Sequence, residues 1–168
     1  MRRNCAGLLL GLACTAAVAQ LTPPDPDWKE TEVPRPPALQ TEGLIELDME
    51  RSALRWGIDP RTISIGEDRI VRYVVVATSG SGTVNAMYEG IRCNTGEVKL
   101  YARHTPGAGW TPAKEADWQP LHGNGRARHS LVIARSGACQ GHGPNQSVEQ
   151  IARDLRSPAN SRFRNEYR

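Results

Sequence analysis

The run Ile70 to Thr78 limits most what this chain can fold into. It contains Tyr73-Val74-Val75-Val76 and is bounded by Gly66-Glu67-Asp68 and by Ser79-Gly80-Ser81-Gly82. β-Branched and aromatic side chains lose rotamer freedom in a helix and pack well on a pleated surface, so the run predicts a central strand. Asn85 to Cys93 follows, with Met87, Glu89, Ile91 and Cys93 on one parity and Tyr88, Gly90 and Arg92 on the other. Glu97 to His104 alternates next, placing Val98, Leu100 and Ala102 on one face and Lys99, Tyr101 and Arg103 on the other. Asn94-Thr95-Gly96 between them suits a tight antiparallel hairpin, and the three segments together make a meander. The shorter stretches Leu54 to Ile58 and Thr62 to Ile65 add one or two strands before it, with Pro60 imposing a break or an edge.

After His104 the chain becomes glycine-punctuated, and Trp110 and Trp118 are expected to cap one face of the sheet. Ser147-Val148-Glu149-Gln150 has the form of a capping box, and Val148, Ile151, Ala152 and Leu155 recur at helical spacing before Pro158. His129 to Ala138 reads two ways: Leu131-Val132-Ile133 suits a strand, while Leu131, Ala134, Arg135 and Ala138 share one helical face. The balance tips to helix. Strands followed by helices predict an α+β fold, an antiparallel β-meander with one or two C-terminal helices packed on one face.

The start of the chain has the form of a bacterial secretory signal peptide over residues 1–19. Arg2 and Arg3 precede an apolar run from Ala6 to Ala17, and Ala17-Val18-Ala19 offers the small residues of a cleavage site before Gln20. The run is too short for a transmembrane span. Leu10-Gly11-Leu12-Ala13-Cys14 also loosely resembles a lipobox, which leaves open a lipid anchor at Cys14. Residues 20–40 read as a proline-rich arm whose Trp28 docks on the domain surface, 41–157 as a single domain, and 158–168 as a frayed basic tail. Lys plus Arg number 21 against 18 Asp plus Glu, and without Arg2 and Arg3 the balance is 19 against 18. So even a charge gives no reason to expect a nucleic-acid partner. Cys5 and Cys14 fall in the leader, so Cys93 and Cys139 are the pair left for an oxidising compartment. A Cys93–Cys139 disulfide is the natural reading, and for so long a loop chain entropy gives about 4 kcal/mol of stabilisation.

Glu89 shares its parity with apolar residues, and a carboxylate turned into a core must be paired or protonated. The structural reading is a salt bridge to Arg72 or Arg92. The functional reading is a general acid or base with a raised pKa, and the residues to inspect around Glu89 are Tyr73, Tyr101 and His104. His104, His122, His129 and His142 are scattered without metal-ligand spacing, and a disulfide would remove Cys139 as a partner for His142, so no metal site and no cofactor are expected. Ser130 beside His129 reads as a surface pair, and Gly80-Ser81-Gly82 as a turn rather than a phosphate loop.

Val71-Arg72-Tyr73-Val74-Val75-Val76, Tyr88-Glu89-Gly90-Ile91-Arg92-Cys93, Lys99-Leu100-Tyr101-Ala102, Trp110, Trp118 and Cys139 together resemble the CNP-one-like family of exported proteobacterial proteins. The resemblance implies a small, single-domain envelope protein and transfers no catalytic or binding residue. The expectation is therefore a non-enzymatic binding or structural domain, periplasmic or associated with the outer membrane, whose partner is an envelope protein or cell-wall component. The competing expectation is a small hydrolase or glycan-processing enzyme using Glu89 and a nearby histidine.

Overall fold

The computed structural model describes residues 26–123 and 128–157; the expected signal peptide, Cys14 and the basic tail lie outside them. The described strands are β1 (Ile45–Leu47), β2 (Arg55–Ile58), β3 (Ser64–Ile65), β4 (Ile70–Thr78), β5 (Val84–Arg92), β6 (Glu97–Thr105), β7 (Gly109–Pro112), β8 (Gln119–Pro120), β9 (Cys139–Gln140) and β10 (Gly143–Pro144). The helices are α1 (Arg128–Ile133) and α2 (Val148–Arg156). The first eight strands form one antiparallel sheet in the order β1-β2-β4-β5-β6-β7, with β3 beside β4 and β8 beside β6.

The β-branched run is the centre of this sheet. β4 and β5 pair along their whole length, from Ile70 opposite Arg92 to Thr78 opposite Val84. β6 follows through a tight turn closed by Gly96, whose N–H donates to the Arg92 carbonyl at 3.0 Å. Gly96 has φ of 66°, a left-handed conformation that glycine adopts without a Cβ clash. Pro60 marks the expected break: Pro60–Thr62 is a 3₁₀ turn, capped by Asp59 accepting from the Arg61 N–H.

Both faces of the sheet are covered. On one, Val71, Tyr73, Val75, Met87, Ile91 and Val98 pack with Ile133 and Ala138 and with Ile151 and Leu155 of α2. On the other, Val74, Val76, Ala86, Tyr88 and Ala102 are overlaid by Val33, Leu39 and Leu44, with Tyr101 and Trp110 alongside. Ala102 is thus on the face opposite to the one its alternation predicts. The cause is a register shift: Tyr88 pairs with Ala102 but Glu89 pairs with Leu100, so Tyr101 is the extra residue of a β-bulge and resets the parity of all that follows. Gly90 admits the bulged ring, since a Cβ there would lie 2.5 Å from the Tyr101 hydroxyl.

The ambiguous segment is helical. α1 runs into a wider π turn at Ala134–Ala138, which delivers Cys139 to Cys93. The two form a disulfide with Cα atoms 5.6 Å apart, tying the end of β5 to the helical layer. α2 begins as its sequence predicts, with the Ser147 hydroxyl accepting from the Gln150 N–H at 3.1 Å. Replacing both cysteines (Cys93→Ala with Cys139→Ala) is expected to lower unfolding stability by about 2 to 5 kcal/mol, read as a lower urea midpoint.

Candidate functional site

Glu89 sits in the middle of β5, its backbone paired on both sides and its side chain turned toward the helices. Taking a carboxylate out of water is costly unless donors come to it. Three do. Tyr73, directly opposite on β4, donates its hydroxyl to Oε2 at 2.9 Å. Ser130 donates to the same oxygen at 2.9 Å, and His129 Nε2 lies 2.9 Å from Oε1. All four residues are buried.

The geometry follows from the elements. His129 and Ser130 are neighbours in the first turn of α1, and each reaches a different carboxylate oxygen. Trp56 of β2 stacks on the His129 ring, with centroids 4.5 Å apart and planes 13° from parallel. The indole is itself held by Nε1 donating to Ser52 Oγ at 3.0 Å. The expectation of a surface His129–Ser130 pair is therefore corrected: helix α1 points both inward, because Glu89 requires donors there. Glu89 also does not pair with an arginine. Arg72 lies on the opposite face, where it makes a bidentate contact with Asp68 at 2.6 and 3.1 Å. Arg92 lies 3.8 Å from Glu97, its guanidinium 3.7 Å over the Trp28 ring.

Tyr101 and His104 are on the far side of the sheet from Glu89, so of the three residues singled out around it only Tyr73 reaches it. Tyr101 donates to Glu30 Oε1 at 2.6 Å, and Lys99 Nζ meets Glu30 Oε2 at 2.8 Å. Asp68 accepts from the Thr31 N–H and hydroxyl, and Trp28 Nε1 donates to the Asp68 carbonyl at 3.0 Å. His104 lies edge-on to Trp110, 5.3 Å between centroids. These contacts fasten the segment before β1 across the second face.

Among known families, the CNP1-like family matches residues 24–156. The chain belongs to the CNP1-like family. No curated protein and no solved structure matches it. The matched region of this CNP1-like chain contains both polar clusters, from Glu30 to Ser130.

A serine nucleophile needs a base that accepts its proton. In the Glu89 cluster Ser130 and His129 are each directed at the carboxylate instead, and an ionised carboxylate only accepts, so His129 carries its proton on Nε2. Among the described residues no three His, Cys, Asp or Glu side chains are grouped to hold a metal ion. No described helix is long and apolar enough to cross a membrane.

Burial by itself would raise the pKa of Glu89, but attraction to the His129 ring and the bonds from His129, Ser130 and Tyr73 outweigh it and hold the carboxyl below its ordinary value. Burial, and then the Glu89 charge, push the Tyr73 hydroxyl well above its ordinary value, so it stays a donor. A carboxyl with a lowered folded-state pKa binds its proton less readily than in the unfolded chain. Its contribution to stability is therefore complete above the ordinary 4.5 and is lost as pH falls through the lowered value. Asp68 behaves alike: burial opposes ionisation, but Arg72 and Thr31 bring its pKa down to about 2. Tyr73→Phe and Ser130→Ala should each cost about 1 to 3 kcal/mol and move the acid-unfolding midpoint to higher pH, as followed by tryptophan fluorescence.

Proposed function

We propose that the chain is an exported domain of the cell envelope that acts by binding or structural support, without catalysis. The observation that carries this reading is that Ser130 and His129 each hydrogen-bond to Glu89. Both donors meet Glu89, 2.9 Å from its two oxygens, so the residues of a hydrolytic set form a clamp between sheet and helix. Export is supported by the leader-like start of the chain and by the disulfide between Cys93 and Cys139. The periplasm, or the periplasmic side of the outer membrane with Cys14 as anchor, is the corresponding location. An envelope protein or cell-wall component is the corresponding partner.

A second reading draws on the same cluster. Glu89 does have a histidine beside it, as a small hydrolase would require, and a serine follows that histidine in the chain. For catalysis Ser130 would have to leave Glu89 and donate to His129, and substrate would have to reach a serine that is 1% exposed. The clamp reading needs neither change.

Two measurements test the proposal together. Protein recovered from the native envelope should have an intact mass that begins at Gln20 or at a lipid-modified Cys14, and a fluorophosphonate probe should leave Ser130 unlabelled in the folded protein. Recovery from the cytoplasm with the leader intact would contradict export, and stoichiometric labelling of Ser130 would establish the hydrolase.

A further inference from the structure

The second face of the sheet is a groove with a resident occupant. Its floor is Val74, Val76, Ala86 and Tyr88, its sides are Tyr101 and Trp110, and the segment from residue 28 to 39 lies along it. The segment has no regular secondary structure, and among the described residues no backbone-to-backbone hydrogen bond ties residues 32–40 to the sheet. Its burial nonetheless has a period. Glu30, Val33, Pro36 and Leu39, three residues apart, are half-buried, with Pro37 half-buried beside Pro36, while Thr31, Glu32, Pro34, Arg35 and Ala38 are exposed.

A spacing of three is that of the polyproline II helix, which has about three residues per turn and leaves its carbonyls free for outside donors. Pro34, Pro36 and Pro37 bias the backbone to that form, and no described peptide bond is cis. Trp110 supplies the outside donor, its Nε1 giving a hydrogen bond to the Pro37 carbonyl at 2.9 Å. At the other end Glu30 enters a basic and phenolic socket, 2.8 Å from Lys99, 2.6 Å from the Tyr101 hydroxyl and 3.7 Å from Arg72. Aromatic walls, an indole N–H on a proline carbonyl and a charged socket at one end are the means by which proteins hold extended proline-rich ligands.

We propose that this groove is a receptor surface for a proline-rich peptide segment of a partner protein, an acidic residue followed by apolar or proline residues at every third position, and that residues 28–39 occupy it in cis as a competing ligand. The cis arm acts at a high effective concentration and so masks the surface until a partner displaces it. This inference rests on reading the chain as a binding module, and the two fail separately: labelling of Ser130 contradicts the module, whereas the experiment below tests only the groove.

The probe is a fluorescent peptide of residues 26–40, titrated into the full exported chain and followed by anisotropy, with the disulfide and far-UV circular dichroism checked for each variant. The unaltered chain should bind weakly, because its own arm competes. Glu30→Ala in the chain loosens that arm, so the peptide should bind at least about tenfold tighter, given the strength of charged hydrogen bonds. Adding Trp110→Phe should weaken binding about fivefold, the value of one neutral hydrogen bond. A peptide in which Pro34, Pro36 and Pro37 are alanine should also bind less well. Should Glu30→Ala not fold, Pro36→Ser with Pro37→Ser opens the groove without touching the socket. Failure of the peptide to bind either opened variant would overturn the proposal, as would binding indifferent to Trp110 and to the prolines. Conversion of the opened variants to an arm-exchanged dimer, without peptide binding, would assign the groove to a second copy and overturn it too.

Discussion

A carboxylate in the packed face of a sheet sets conditions on everything laid over it. Glu89 is 4% exposed, flanked on its own strand and the next by apolar residues, and it cannot be left without donors. Tyr73 answers from the neighbouring strand, but one phenol does not satisfy a buried anion. The remaining donors must come from above, and the first turn of α1 supplies two from adjacent positions. The helical layer is thereby fixed in place over β4 and β5, with Trp56 bracing the imidazole from β2. Apolar packing alone would allow α1 to slide on its bed; its two hydrogen bonds to one anion do not, since any shift would leave a buried charge underbonded.

The opposite face is organised by a different device. There the polar groups lie mostly at one end, around Glu30, Arg72 and Asp68, and apart from the Trp110 bond to the Pro37 carbonyl the remainder of the contact is apolar. The bulge at Tyr101 joins the two designs. It leaves Val98 and Leu100 to the helical side and turns the Tyr101 ring over Gly90 toward Glu30. One extra residue in one strand thus carries Ala102 and His104 to the same face as Tyr101. One face is locked to its cover by a disulfide and a clamp, while the other holds a strap through the contacts of Trp28, Glu30 and Thr31 and through the Pro37 carbonyl.

The parts legible from sequence are those with strong local signals. The β-branched run, the glycine turn at Gly96, the capped helix at Ser147 and the cysteine pair each carry their cause within a few residues or in a count of two. The burial of Glu89 was readable from the parity of Met87, Ile91 and Cys93, but its partners were not, because strand register and the direction of α1 are set by tertiary packing. Arg72 and Arg92 were plausible by charge and wrong by face. The bulge has no signature in the alternation of β6, so nothing local separates His104 from Glu89. Tyr101, in contrast, lies where the alternation puts it, opposite Val98 and Leu100 and so across the sheet from Glu89. His129 and Ser130 offered one missed signal: a helix whose first turn carries two donors fits a core that holds an unpaired acid. The strands Ile45–Leu47, Gly109–Pro112 and Gln119–Pro120 are too short for periodicity to declare them.

The account stands or falls on Glu89 being an ionised acceptor fully engaged by its neighbours. Carbon-detected NMR of the Glu89 carboxyl, combined with nitrogen shifts of the His129 ring, reports both at once. The predicted result is a carboxylate shift that holds from neutral pH down to the onset of acid unfolding, with the His129 proton on Nε2. A Glu89 carboxyl that titrates near neutrality, or a His129 ring with Nε2 unprotonated, would contradict the clamp and make the cluster a working acid–base site.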